Sequence, residues 1–319
     1  AFNDTLAKGL SKGRNGLGVL YVFSGGNGAW EGDYSSADSA TSSRGAITVC
    51  ATDAAGERAP YSERGSNLTV CAPSGRSTTP ATAPEITTTS VKDKYTDDFG
   101  GTSASAPMVS GVAALMLQAN PRLTWRDVPL ILARTARQVD VSKGGWSELR
   151  SPLAGVTGHD VLRYSHHYGF GVVDAEAATR LARTWQSVGG SAEQRKCGPF
   201  RMQVGKRIPE ADIVAQQQAG STSRAMAEGS VEQKYFDALT ALADRLDYNK
   251  APTGGVSSAI TVPASCNLQH IEHIDVNLTV TGDDGRSEHP NAGDLQIALI
   301  SPLGKVSTLL PPHPCTVKG

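Results

Sequence analysis

The chain has 319 residues, of which 39% are apolar and 19% charged, and Lys+Arg 30 against Asp+Glu 31 leaves a net charge of −1. This composition supports a buried core and, at roughly 100–200 residues per domain, about two domains; it excludes compositional disorder. The charge balance excludes nucleic acid or an anionic membrane surface as the main partner, and no apolar run approaches the ~18 residues of a membrane span.

Residues 1–16 read as the end of an amphipathic helix, with Phe2, Leu6 and Leu10 four residues apart before Gly13 and Gly16 break it. The chain opens on Ala1 without a basic–apolar–small leader, and is expected to be a piece of a longer or processed protein at both ends. The apolar run 17–24 reads as a buried strand, ended by Gly25-Gly26-Asn27-Gly28 in a tight loop. Two more short strands follow over 46–52 and 67–72, then a Pro/Thr/Ser/Asp-rich loop over 73–100. Residues 103–120 form a helix so apolar that it is placed in the core (Val109, Val112, Leu115, Met116). Thr124 caps the next helix in a capping-box-like turn with Asp127, and 174–188 reads as a third. Strands alternating with helices indicate an α/β domain with a mainly parallel sheet, over residues 1–188.

Beyond the polar linker 189–195 the pattern changes. Residues 225–248 read as one helix with Phe236, Leu239, Leu242 and Leu246 along a stripe. Period-two alternation over 271–280 turns Ile274, Val276, Leu278 and Val280 to one face, and 294–300 and 306–310 alternate likewise. Residues 189–319 are therefore expected to hold an antiparallel β module. The five cysteines show neither Cys-x-x-Cys nor zinc spacing; Cys50 and Cys71, mid-strand in apolar runs, read as buried small hydrophobes, although one or two disulfides would fit an exported protein. The sequons at Asn3, Asn67 and Asn277 read as chance matches, two of them lying in predicted strands.

The most specific motif is Gly101-Thr102-Ser103-Ala104-Ser105-Ala106-Pro107, opening the apolar helix. A serine there sits among free backbone N–H groups at the positive end of the helix dipole, where an oxyanion is stabilised. Pro107 is expected within the first turn, where a missing N–H costs nothing. This segment resembles the nucleophile region of the subtilisin-like serine proteases. With Leu123-Thr124-Trp125-Arg126-Asp127-Val128, Gly13-Arg14-Asn15-Gly16-Leu17-Gly18 and residues 165–171, it resembles the kexin/furin-like proprotein convertase branch. Cys197, Gly293-Asp294-Leu295 and Ser301-Pro302-Leu303-Gly304 are similar to that branch's P domain, an antiparallel jelly roll. The resemblance implies a subtilisin-like α/β parallel sheet, incomplete here, followed by an incomplete P domain with a helical insertion.

It further implies a secreted or periplasmic serine endopeptidase acting on protein or peptide substrates with a basic P1 residue, its protease and P domains in contact. Ser103 is implied as nucleophile, Asn27 as the oxyanion-hole amide, and Gly26 and Asp38 as substrate contacts, Asp38 as a buried acid at the floor of S1. Asp33 and Glu63 are implied as calcium ligands, and Cys197–Cys266 as a P-domain disulfide. All seven histidines follow Ser103, none in a His-Gly-Thr setting, and no Asp before Asn27 stands in an Asp-Ser/Thr-Gly setting. The family's general base and its orienting Asp are therefore expected outside these residues, and this chain alone is expected to be inactive. The alternatives are a non-catalytic pseudoprotease or P-domain binding module, and a subtilisin without basic preference.

Overall fold

The computed structural model describes residues 2–75, 85–150, 161–205, 246–252, 255–266, 272–280 and 295–311. The chain divides into two compact units, Ala1–Gln194 and Arg195–Gly319.

In the first unit, helix α1 (Phe2–Lys12) buries Leu6 and Leu10, the i,i+4 pair of its apolar stripe. The turn after it holds Arg14 and Asn15 at φ 48° and 58°. The Arg14 guanidinium fastens this turn by donating to the carbonyls of Gly18 (3.2 Å), Leu123 (3.1 Å) and Pro121 (3.3 Å). Strands β1 (Tyr21–Ser24), β2 (Ala46–Thr52) and β3 (Leu68–Pro73) then form a parallel sheet in the order β1-β2-β3. β2 and β3 are buried on both faces and mostly apolar, with their threonines, Thr48 and Thr69 among them, the polar exceptions, as suits sheet strands covered on both sides.

The core joins Ile47, Val49, Val70 and Ala72 of the sheet to three helices. These are α2 (Thr102–Ala119; Val109, Val112, Met116), α3 (Asp127–Thr135; Val128, Ile131, Leu132) and α4 (Ala175–Thr184; Ala178, Ala182). The expected capping box is present: Thr124 N–H donates to Asp127 Oδ2 at 2.7 Å, and Thr124 Oγ1 lies 3.4 Å from Asp127 N. Asp174 caps α4, accepting from Ala177 N at 2.9 Å.

Two expectations for this unit need correction. Residues 73–100 are not simply a loop: β4 (Ile86–Ser90) and β5 (Lys94–Phe99) pair as an antiparallel hairpin. Its threonine-rich strands are exposed, so no apolar alternation announced them. A second hairpin, β6 (Ser147–Arg150) with β7 (Val161–Tyr164), was likewise not legible. Cys50 and Cys71 are fully buried as expected, but they are bonded to each other. They are register partners on the adjacent strands β2 and β3, which brings their side chains together. The Asn67 sequon amide is engaged, donating to Ser35 O (3.1 Å) and Oγ (3.2 Å).

In the second unit the implied Cys197–Cys266 disulfide is formed. Strands β8 (Ile297–Ile300) and β9 (Val306–Leu310) pair antiparallel around a turn in which Ser301 N donates to Lys305 O at 2.8 Å. The predicted strand over 271–280 does not form within 272–280: Ile274, Val276 and Leu278 are about half exposed. Among the described residues no strand pairs with this segment, so its alternation has no layer to pack on. The helix expected over 225–248 falls almost wholly outside the described residues, as do Asp294 and Cys315.

Candidate active site

Helix α2 starts at Thr102 because Gly101 turns the chain at φ 74°, ψ 171°, a conformation open to glycine. Ser103, the second helical residue, is exposed, whereas its neighbours Thr102, Ala104 and Ser105 are buried. The buried hydroxyls fasten this end of the helix to the sheet. Ser105 Oγ donates to Ala72 O at 2.9 Å, at the end of β3. Ser74 Oγ donates to Gly101 O at 2.8 Å. The Tyr61 hydroxyl lies 3.0 Å from Ser74 Oγ and donates to Gly75 O at 2.6 Å. Pro107 is the sixth residue of the helix, not part of its first turn. The helix begins one residue earlier than read, and Pro107 withholds the N–H that would reach the Ser103 carbonyl four residues back.

Asn27 leaves the end of β1 and meets this helix end side-on. Its Oδ1 accepts from Thr102 N at 2.9 Å and from Thr102 Oγ1 at 2.8 Å. Thr102 Oγ1 in turn accepts from Gly26 N at 3.3 Å. A peptide N–H can only donate, so the oxygen of the Asn27 amide must face Thr102. The Nδ2 group is thereby turned the other way, and a Cβ built on Gly101 would stand 3.1 Å from it. Ser103 and the Asn27 NH2 group thus flank one glycine turn at a helix N-terminus.

The acids lie on the other side of the Asn27 loop. Glu63 is buried; its Oε1 accepts from Gly28 N at 2.9 Å, and its own N–H donates to Gly26 O at 3.2 Å. Burial pushes the Glu63 carboxyl up to about 7, and the charges of Asp33, Asp38 and Glu31 add to the shift. Glycine is needed at two places here. A Cβ on Gly26, at φ 107°, would fall 2.2 Å from Glu63 Oε1, and one on Gly28 would fall 2.4 Å from Asp33 Oδ2. Both carboxylates therefore press against the same loop backbone, on either side of Asn27. Asp38 departs from expectation: it is exposed. Its Oδ1 caps its own turn, accepting from Ala40 N (2.8 Å) and Thr41 N (3.0 Å), since the Ser/Thr-rich turn 39–43 offers those donors locally. Among the described residues no group of three or more His, Cys, Asp and Glu could hold a metal ion.

His166 and His167 lie elsewhere, in the turn after β7. His166 O accepts from Gly65 N at 3.0 Å and its buried ring meets Tyr164 edge-on. Burial, then Arg58, Arg64 and His166, hold the His167 imidazole well below its ordinary value.

The Subtilase family model matches residues 3–171, a span that contains all of these groups. The chain belongs to the subtilase family. Among curated relatives, it is 34% identical to the proprotein convertase subtilisin/kexin type 6 of Rattus norvegicus over 305 residues, 95% of this chain and 26% of that protein. It is 31% identical to furin of Mus musculus, over 98% of this chain and 31% of furin. It is 31% identical to the protease KEX1 of Kluyveromyces lactis, over 95% of this chain and 32% of that protein. The chain thus spans about a quarter to a third of these relatives. The serine protease of Aeromonas sobria, at 18% identity, superposes with a TM-score of 0.56 over 98% of this chain and 52% of its own. That likeness bears on the fold alone.

The resemblance singled out Ser103, Asn27, Gly26, Asp33, Asp38 and Glu63 but gave no sign of what holds them. Thr102 was visible only as the middle of Gly-Thr-Ser, and Ser105 only as a motif residue. Tyr61 and Ser74 carry no local signature, because their partners are groups brought near by the fold.

Proposed function

We propose that this chain carries the nucleophile half of a serine endopeptidase that cleaves proteins or peptides after a basic residue, probed best with Arg-Arg peptides. The observation that carries the reading is the pinned Asn27 amide. Its oxygen is held by Thr102, so its NH2 group is presented at the glycine turn beside the exposed Ser103. Ser103 Oγ attacks the scissile carbonyl, and the oxyanion that forms accepts from Asn27 Nδ2 and the Ser103 N–H. The acyl-enzyme is then released by water. The proton from Ser103 needs a general base. All seven histidines follow Ser103 and the family's base precedes the Asn, so the reading takes the base from outside these residues.

Asp38 Oδ1 is committed to its turn, and Oδ2 is the atom offered to the guanidinium or ammonium of the P1 side chain. Asp33 and Glu63 suit a calcium ion: both offer hard oxygen donors, from separate loops, against one loop backbone that only glycine leaves open. Two carboxylates are too few for calcium, so carbonyls or water must complete the shell. When bound, the ion supplies positive charge that offsets the mutual repulsion of these acids and ties the two loops together. The disulfides and the relatives support an exported protein. The test is turnover of an Arg-Arg peptide by the complete protein from the native gene. Asp38→Asn is expected to raise KM for basic P1 substrates; an unchanged P1 profile refutes the role given to Asp38.

A further inference from the structure

We infer that Trp30 is a specificity-determining residue, its indole receiving the cationic side chain of the substrate. The inference rests on the proposed basic specificity and adds a group to it. Trp30 lies three residues past Asn27 on a short helical turn, Ala29–Glu31, and is 53% exposed. The turn is rigid. Gly28 O accepts from both Glu31 N (2.8 Å) and Asp33 N (3.0 Å), and Ala29, buried beneath, donates its N–H to Tyr61 O at 3.1 Å. The indole rests on the Tyr61 ring, centroids 6.4 Å apart and planes at 82°, a contact that leaves much of its surface to solvent.

Tyr61 is the same residue that reaches Ser74 and Gly75 beneath the Gly101 turn, so Trp30 caps a wall that runs back to the nucleophile helix. The turn itself carries an acid: Glu31 is the next residue after Trp30. An exposed aromatic surface beside a carboxylate is chemistry for a cation that also stacks, which is the substrate side chain the proposed specificity supplies. A guanidinium meets both requirements better than an ammonium, being planar and less strongly hydrated. Trp30 therefore favours Arg over Lys.

The experiment uses the complete protein from the native gene, carrying Ser103→Ala so that ligands are not turned over. Calorimetry measures its affinity for peptides that end in Arg, Lys or norleucine and are otherwise identical. Trp30→Leu is expected to weaken the Arg peptide about two- to fivefold, erase its advantage over Lys and leave norleucine unchanged. Trp30→Phe, which keeps a ring, is expected to retain part of the advantage. An Arg preference in the parent protein that survives intact in Trp30→Leu overturns the role of Trp30. If the parent binds norleucine as tightly as Arg, the basic-specificity reading itself fails, and this inference with it.

Discussion

The hydroxyl of Thr102 joins the two halves of the site, and replacing it by a methyl group measures that junction. Thr102→Val keeps the shape of a fully buried side chain. It removes the 2.8 Å bond to Asn27 Oδ1 and deprives Gly26 N of its acceptor at 3.3 Å. The first loss is about 1 kcal/mol, and a part-buried donor without an acceptor adds about 1 kcal/mol more. Thr102 N still holds Asn27 Oδ1, so the amide loses one of its two anchors, not both. In a unit of this size about 2 kcal/mol lowers Tm by roughly 4–8 °C. The assay is thermal unfolding of the 319-residue chain, with Thr102→Ser beside it. Serine restores the hydroxyl and omits the methyl, so it should recover most of the loss. A valine variant that melts with the parent, or a serine variant that melts with the valine one, refutes the assignment of this stability to the hydroxyl.

Asp127→Asn tests the fully buried carboxylate under α3, which accepts from Thr124 N, Thr124 Oγ1, Ser187 Oγ, Trp185 Nε1 and Val188 N. Either orientation of an amide sets its NH2 group against backbone or indole donors, at a cost of about 3 kcal/mol; denaturant unfolding that shows under 1 kcal/mol contradicts this. The Cys50–Cys71 bridge spans a sequence separation of 21 and contributes about 3 kcal/mol, so the double alanine variant should be less stable than the oxidised parent by about that much; free thiols mapped to Cys50 and Cys71 in the non-reduced protein would remove the bridge. Chelation of calcium should lower the Tm of the parent and have little effect on Glu63→Gln. A parent whose melting ignores the chelator counts against the calcium site.

The parts of this fold that were legible in the sequence are those written in local chemistry. The parallel strands β2 and β3 carry mostly apolar runs because both their faces are covered, and α2 is apolar because it lies in the core. The Thr124–Asp127 box needs only neighbours three residues apart. What escaped is set by tertiary contact. The hairpin of β4 and β5 is exposed on its polar strands and has no buried face to impose a period. The pairing of Cys50 with Cys71 depends on the register of two strands, which no local pattern encodes. The alternation over 271–280 meets no strand to pair with among the described residues. At the site, the motif named Ser103 and Asn27, but the orientation of the Asn27 amide follows from a bond to Thr102, far along the chain. Asp38 illustrates the converse: its turn residues satisfy Oδ1 locally, so an acid expected to be buried stays at the surface.

Ser103 is the residue on which the proposed chemistry turns. The most direct measurement treats the complete protein from the native gene with a fluorophosphonate, which phosphonylates an activated serine with loss of fluoride, and locates the modified residue by mass spectrometry. A nucleophilic Ser103 requires one modified serine, Ser103, with labelling lost in Ser103→Ala and slowed by about 10²–10³ in Asn27→Leu. Absence of labelling, or a label on any other serine, contradicts it.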